Sequence, residues 1–165
     1  SVQQTGNTLD VAIQGNGFFH VKGEDGQDYY TRNGAFRLSA DGTLVTQDGK
    51  AVQSNGGPIQ IPPEAQTIQI DKSGQVSVNG QPVGRIKLVS FANPQALQAS
   101  GSNLYTAQQP EQPSDKSTLI QGAVERTNVN VVSELLHNMS GLRAYETLQK
   151  TFQAHSDLLK KAVTE

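Results

Sequence analysis

The chain has 165 residues, 35% of them hydrophobic and 17% charged, a length that suits one domain or a small domain with an appendage. A formal net charge of -2 excludes the broad positive field that gathers nucleic acid or anionic lipid, and the absence of cysteine excludes disulfides and thiolate chemistry. No apolar run approaches the roughly 20 residues needed to cross a bilayer, so we expect no membrane insertion.

After an opening segment of residues 1–8, short β-branched or aromatic runs separated by two-residue turn pairs fill residues 9–104. The pairs are Asp-Gly, Asn-Gly or Ser-Gly, and each can supply the positive φ that a tight hairpin turn demands. Apolar and polar residues alternate, so the fold class predicted here is mainly β: an antiparallel, turn-rich β-domain, built as a meander, a barrel-like sheet or a sandwich. The predicted strands are residues 10–13, 17–22, 29–31, 36–38, 44–46, 51–53, 67–70, 76–78 and 85–91.

The rest of the chain changes character. Residues 105–130 follow neither a strand nor a helix period, and their prolines and Gln-rich filling predict an extended return segment. From 131 onward no proline occurs, and apolar residues recur at spacings of three or four, close to the ~3.5-residue period of a coiled-coil seam. This pattern predicts one long C-terminal α-helix over residues 131–165. Such a helix is longer than a β-domain of this size can cover, so part of its apolar stripe is expected to contact another partner.

No constellation of residues predicts catalysis or a cofactor. The run of residues 15–17 resembles the start of a dinucleotide fingerprint, but a strand-like segment follows it instead of a helix. His137 and His155 would be separated by ~27 Å of helical rise, too far to share a metal. We therefore expect a protein that is not an enzyme, with no cofactor and no structural metal.

Two other functions stay open on the residues alone. A carbohydrate- or cell-wall-binding β-module would need a flat, exposed platform built from two or more of Tyr29, Tyr30 and Tyr105. A hydrolase with an unrecognised site would need a pair of carboxylates about 5 to 10 Å apart in a cleft. Neither function accounts for the apolar stripe in residues 131–165.

Three segments resemble one family in the same order along the chain. Gln4-Thr5-Gly6-Asn7-Thr8-Leu9-Asp10, continuing to Phe19, resembles the segment that opens the β-domain of flagellar rod and hook proteins. Tyr30-Thr31-Arg32-Asn33-Gly34-Ala35-Phe36 resembles the next stretch, and residues 128–135 with 143–146 resemble the C-terminal signature of that family. Within the family, residues 76–84 and 145–150 look most like the proximal-rod type, with the distal-rod type as the close alternative.

The resemblance implies a structural subunit of the bacterial flagellar rod, which polymerises through helix–helix and β-domain contacts into the axial drive shaft. It implies a place in the basal body within the periplasmic space, and export by the flagellar type III apparatus without a cleaved signal peptide. The implied partners are other rod and hook subunits, further copies of the chain, and an N-terminal helix that precedes residue 4 in the family, so we expect the chain to be a piece of a longer protein. The expected assembly interface comprises Asn128, Asn130, Leu135, Met139, Leu142, Tyr145, Leu148, Phe152 and Leu159.

Overall fold

A computed structural model describes residues 1–101 and 103–125 of the chain. These residues form short strands joined by tight turns, with one 3-10 helix at Pro94–Ala96. The strands are Val2–Gln4 (β1), Val11–Gln14 (β2), Phe18–Lys22 (β3), Asp28–Thr31 (β4), Arg37–Leu38 (β5), Leu44–Val45 (β6), Ala51–Ser54 (β7), Gly57–Pro58 (β8), Ile68–Ile70 (β9), Gln75–Val78 (β10), Gln81–Arg85 (β11), Leu88–Ser90 (β12), Gln98–Ala99 (β13), Tyr105–Thr106 (β14), Gln112–Pro113 (β15), Thr118–Gln121 (β16) and Ala123–Glu125 (β17).

The largest sheet is organised around β3. Along one edge β3 pairs with β4, and along the other it pairs with β7 at Val21 and with β12 at Phe19. From β7 the sheet continues through β6 to β5, and β8 also pairs with β7. From β4 it continues through β14 to β13, while β15 adds to β12. All of these pairs are antiparallel, as expected for strands joined by hairpin turns.

Three smaller sheets complete the described fold. β9, β10 and β11 form a meander, whereas β2 pairs with β16 and β1 pairs with β17. The last two pairings join strands at opposite ends of the described sequence. The domain is therefore closed by its final strands, which return to pair with its first ones.

The hydrophobic core lies on both faces of β3, where consecutive residues are buried: Phe19 belongs to the main cluster and Phe18 to a second one. Phe19 and Phe36 meet edge to face with ring centroids 4.9 Å apart, and both are almost fully buried. A second, smaller cluster contains Phe18, Tyr30 and Phe91. Burying one such large apolar side chain contributes about 1.5–3 kcal/mol to folding. The buried hydrophobic residues run from Val11 to Ala123, so the described residues supply a core of their own.

The predicted fold class requires a correction. Within residues 1–101 and 103–125 the fold is mainly β with antiparallel sheets, and no α-helix occurs there. The long C-terminal helix is not seen, and the residues on which it was predicted, 131–165, lie outside the described part of the chain. A three-and-four apolar repeat shows which side chains would share a face if a helix formed, but helix stability in proteins comes mostly from tertiary packing that the pattern does not specify.

The segment that we predicted as an extended connection contributes strands to the domain. Residues 105–125 carry β14 to β17, and Leu119 in β16 is buried in the main core. The division of the chain at residues 8, 104 and 130 stays a prediction. Among the described residues, no helix has the length and hydrophobicity required to cross a membrane.

Candidate assembly site where the first and last strands pair

The residues predicted from sequence as an assembly interface lie beyond the described range. Their role stays a prediction, and the structure brings none of them into the site described below. They are Asn128, Asn130, Leu135, Met139, Leu142, Tyr145, Leu148, Phe152 and Leu159.

The first and last described strands form a two-stranded stem. β1 and β17 pair antiparallel, with Val2 opposite Glu125 and Gln4 opposite Ala123. β1 is exposed along its whole length, whereas Ala123 is fully buried. Val2 is 44% exposed, which is unusual for a large apolar side chain in the described part of the molecule. The stem, defined here as β1 plus β17, therefore has one exposed strand, β1, and one strand, β17, that begins in the core and continues half-buried.

The turn that follows β1 is fastened to Gly122, just before β17. The Gly122 carbonyl accepts hydrogen bonds from the N–H groups of Thr5 at 2.8 Å and Gly6 at 3.1 Å, and the Gly122 N–H donates to the Asp10 carbonyl at 2.8 Å. The Thr5 hydroxyl donates to the Asp10 carboxylate at 2.6 Å. Gly122 adopts a φ of 77°, a conformation that costs glycine little. These bonds fix the direction in which the stem leaves the domain.

Arg32 connects the stem to the loop between β2 and β3. Its Nε donates to Glu125 Oε2 at 2.9 Å, and its Nη1 donates to the carbonyls of Gly15 at 2.8 Å and Gly17 at 2.7 Å. The guanidinium also lies 5.9 Å from the centroid of the Phe18 ring. Because a guanidinium presents five donors in a rigid plane, one side chain can hold three acceptors at once. Arg32 therefore ties β17 to a loop from the start of the chain.

Glycine is required in that loop because the chain between β15 and β16 packs against it. A Cβ atom on Gly17 would lie 2.7 Å from the Ser117 hydroxyl and 2.8 Å from the Ser114 hydroxyl. On Gly15, which has a φ of 112°, a Cβ would meet the same Ser117 hydroxyl at 2.8 Å. Ser114 and Ser117 hydrogen-bond to each other at 2.7 Å. The two glycines thus let the return chain pack closely against the loop whose carbonyls Arg32 binds.

Gly34 provides a second close contact between segments. A Cβ atom on Gly34 would fall 1.6 Å from the Val11 carbonyl oxygen, and the Val11 N–H donates to the Gly34 carbonyl at 2.9 Å. The neighbouring Asn33 side chain accepts a hydrogen bond from the Ala35 N–H at 3.1 Å, which holds the turn. The segments containing Val11 and Gly34 are therefore in direct backbone contact, with no room for any side chain between them.

Glu111 is the centre of a separate polar cluster. Glu111 accepts hydrogen bonds from the Tyr30 hydroxyl at 3.0 Å and from the Lys87 ammonium. Burial acts to raise the pKa of Glu111, but the hydrogen bonds from Lys87 and Tyr30 outweigh it and hold that pKa below its ordinary value. Burial, followed by the Glu111 contact, raises the pKa of Tyr30. His20 lies between the Asp28 carboxylate at 2.9 Å and Glu111 at 3.5 Å.

The described residues contain no group of three or more His, Asp or Glu side chains able to hold a metal ion. The tyrosines also fail to form a flat platform: Tyr30 is buried edge-on against Phe91, and Tyr105 packs edge-on against Phe18. A sugar-stacking surface built on them is therefore absent from this part of the chain, and nothing favours the carbohydrate-binding alternative.

Sequence reasoning missed the residues that build this site. Arg32 and Gly34 lie inside a segment that resembles a known family, but the sequence assigned no role to Arg32, and it predicted Gly34 only as part of a turn pair with positive φ. Gly122 and Glu125 lie in the stretch predicted as a connection, and they gave no local signal because their partners are distant: Arg32 and Glu125 are 93 positions apart in the chain. The signal that could have identified Arg32 is its position within the motif at residues 30–36.

Comparison with known proteins adds independent information. Residues 12–78 match the family described as flagellar hook protein FlgE/F/G D1 domain, and residues 120–165 match that described as flagellar basal body rod FlgEFG protein C-terminal. The flagellar basal-body rod protein FlgG of Bacillus subtilis is 38% identical over 99% of this chain and 67% of its own length. FlgF of Caulobacter vibrioides is 37% identical over 97% of this chain and 66% of its own length.

FlgG of Agrobacterium fabrum is 36% identical over 94% of this chain and 63% of its own length. The chain therefore spans about two thirds of the length of the curated relatives it matches. The two family matches cover most of the β-domain and the whole of residues 126–165. Arg32 and Glu125, which form the ion pair of the site described above, both fall within matched segments.

Proposed function

Because this chain belongs to the flagellar basal-body rod protein family, we propose that its β-domain transmits load to the flagellar axis through the stem formed by β1 and β17. The family is one of structural proteins rather than enzymes, and its members belong to the flagellar basal body. The chain is accordingly a structural rod subunit. The membership predicted from the three sequence motifs is confirmed.

One observation supports the load-bearing role of the stem. β1 and β17 leave the domain side by side, and Arg32 fastens β17 to the carbonyls of Gly15 and Gly17. Three facing residue pairs join β1 to β17, and the backbone hydrogen bonds of this antiparallel ladder hold the two strands together. The guanidinium bonds to Glu125 and the glycine carbonyls add a second connection, so torque on the stem would reach the main sheet without bending a flexible loop.

The partners of this subunit are proposed to be other rod and hook subunits and further copies of the chain. Polymerisation into a tube requires head-to-tail contacts that do not close into a ring. The apolar positions in residues 131–165, with Asn128 and Asn130 ahead of them, are proposed to supply part of these contacts. Their regular spacing and the match of residues 120–165 to the rod protein C-terminal family support this assignment.

The finer location is also part of the proposal. We place the assembled subunit in the part of the basal body that crosses the periplasmic space, after export by the flagellar type III apparatus without removal of a signal peptide. The resemblance to rod proteins supports both statements. The N-terminal helix implied by that resemblance would pack against the proposed interface in the whole protein.

Purified basal bodies test the function directly. In the bacterium that encodes this chain, a version carrying a small epitope in the exposed turn at Gly26 should be found in the rod by immunoelectron microscopy. Deleting the gene should stop rod growth and abolish swimming, and the wild-type gene should restore both. Complete rods in the deletion strain, or an epitope found only outside the basal body, would contradict the proposal.

A further inference from the structure

We propose that Asn55 is a site of spontaneous deamidation, the one Asn-Gly pair of the described domain that its fold leaves free to react. The chain has four Asn-Gly pairs in the described residues, at Asn16, Asn33, Asn55 and Asn79. Asparagine followed by glycine reacts because glycine has no side chain to shield its backbone nitrogen and imposes little conformational restriction. The fold then decides which of the four pairs can reach the reactive geometry.

Three of the pairs are held in place, and two of them, at Asn79 and Asn33, are held through the asparagine side chain or the glycine that follows it. Asn79 accepts hydrogen bonds from the N–H groups of Gln66 at 2.9 Å and Thr67 at 3.1 Å. Asn33 accepts from the Ala35 N–H, and the following Gly34 is buried against the Val11 carbonyl. These contacts stop either asparagine side chain from turning toward the next backbone nitrogen.

The peptide units around Asn16 are held from outside. Arg32 binds the carbonyls of Gly15 and Gly17, and Gly17 is buried against the hydroxyls of Ser114 and Ser117. The Asn16 side chain is exposed, but rotation of the backbone on either side of it would break the arginine contacts. Asn16 is therefore also restrained.

Asn55 has none of these restraints. It lies with Gly56 at the exposed tip of the β7–β8 hairpin, and its side chain has no hydrogen-bond partner among the described residues. A Cβ atom on Gly56 would meet only the Ser54 hydroxyl, at 3.9 Å. The Gly56 N–H donates to that same hydroxyl at 3.2 Å, but the bond is exposed to solvent, so water and base compete with the hydroxyl for this proton.

The reaction is balanced with water as the only co-reactant. Hydroxide removes the proton from the Gly56 nitrogen, which attacks Cγ of Asn55 and forms a new C–N bond. The bond from Cγ to the side-chain nitrogen breaks, and ammonia leaves with a proton from solvent. Water then opens the resulting succinimide at either carbonyl, giving aspartate or isoaspartate.

The product changes a defined surface. Asn55 lines a groove of about 260 Å³ together with Arg85, Lys87, Glu111 and Asp115, so the new carboxylate adds a negative charge to a surface that carries both signs. Isoaspartate also adds a backbone carbon to the turn that holds Ser54 opposite Gly57. The hairpin tip is thereby altered in both charge and backbone length, while the sequence of the core strands is unchanged.

Peptide mapping of the full chain tests the proposal. During incubation in mildly alkaline buffer, the peptide containing Asn55 should gain about 1 Da and split into two isomers severalfold faster than peptides containing Asn16, Asn33 or Asn79. In concentrated urea all four should react at similar rates, because the fold no longer separates them. Gly56→Ala should fold normally, since the site is open, and should slow the reaction severalfold.

Faster reaction at Asn55 in the folded chain, with the difference lost in urea, supports the proposal. It is overturned if another of the four asparagines reacts first, if all four react equally in the folded chain, or if Asn55 stays intact while the unfolded chain reacts.

Discussion

The guanidinium of Arg32 donates to the carboxylate of Glu125 across 2.9 Å, although 93 residues separate them in the chain. Both side chains are less than one third exposed. Replacing Arg32 with Gln leaves Glu125 without its partner and two glycine carbonyls without their donor, which should lower the free energy of unfolding by about 2–4 kcal/mol. Urea unfolding followed by circular dichroism measures this change.

The conservative variant makes that test specific. Arg32→Lys keeps the charge but loses the planar fork, so it should recover less than half of the lost stability. Arg37→Lys is the matched control, because Arg37 is exposed and its Nε contact with the Gln47 carbonyl is 3.4 Å long. The control should change stability by no more than about 0.5 kcal/mol. Wild-type stability in Arg32→Lys would show that the three-acceptor geometry is not needed.

Gly34→Ala should be among the most damaging single changes in the domain. The added methyl group would overlap the Val11 carbonyl oxygen at 1.6 Å, so the two backbone segments must separate. We expect a loss of at least about 3 kcal/mol or failure to fold. Gly56→Ala adds the same methyl group in open space and should stay within about 0.5 kcal/mol of the parent. Similar thermal melts for the two variants would contradict the assigned packing.

The domain should lose stability in acid. Hydrogen bonds from the Ser39 and Thr43 hydroxyls hold the pKa of Asp41 below 3.8, and the Ser73 hydroxyl with nearby N–H groups does the same for Asp71. A carboxyl whose pKa is lower in the folded state stabilises the fold above its unfolded pKa, and this stability is lost as the pH falls through the folded pKa. The melting temperature should therefore decline between about pH 5 and pH 2.

Asp71→Asn tests the origin of that decline. The variant should be less stable than the parent at neutral pH, and its melting temperature should depend less steeply on pH below about 5. Asp115→Asn serves as control, since Asp115 is exposed and its side chain makes no hydrogen bond to a described residue. The control should follow the parent curve. A melting temperature that stays constant or rises on acidification would refute the assignment.

The β-domain is expected to fold without residues 129–165. Its buried hydrophobic residues lie between Val11 and Ala123, so a chain ending at Asn128 keeps the whole core. Circular dichroism should show a cooperative β-type melt. A chain ending at Ser114 loses β16, whose Leu119 is almost fully buried, and should not melt cooperatively. Loss of the transition in the longer truncation would place part of the core beyond Asn128.

Leu142 tests the proposed interface. Leu142→Asp should block rod assembly in cells, because it would bury an unpaired charge between subunits, and it should barely change the melting temperature of the isolated chain. Gln149→Asp introduces the same charge at a polar position and should leave assembly intact. A loss of about 3 kcal/mol in the isolated Leu142→Asp chain would instead identify Leu142 as part of an intramolecular core.

The sequence was informative where structure is local. Strands near β2, β3, β4, β7 and β10 were predicted within two residues, because turn pairs and alternating apolar residues operate over a few positions. The predicted strand at residues 85–91 is divided in the structure into the end of β11 and β12, since the Ile86 N–H pairs with the Gly74 carbonyl outside either strand.

The assembly site could not be predicted in the same way. At Asn33-Gly34, glycine was expected for its positive φ, but Gly34 is required for the close approach of the Val11 carbonyl and is absent from the positive-φ glycines. The strands β14 to β17 contain two to four residues each, too few for a period to be recognised. Their partners are near the start of the chain, and such pairings leave no local pattern in the sequence.

The pairing of Val2 with Glu125 brings the first and last strands of the described domain together at one place. Opposed residues in an antiparallel ladder have Cα atoms about 5 Å apart, whatever the length of chain between them. Changes elsewhere in the described domain, such as a longer hairpin at β7 and β8, therefore leave the distance between Val2 and Glu125 unaltered. The hairpin tips of the described domain can therefore accept an inserted reporter while the pairing of β1 with β17 is kept.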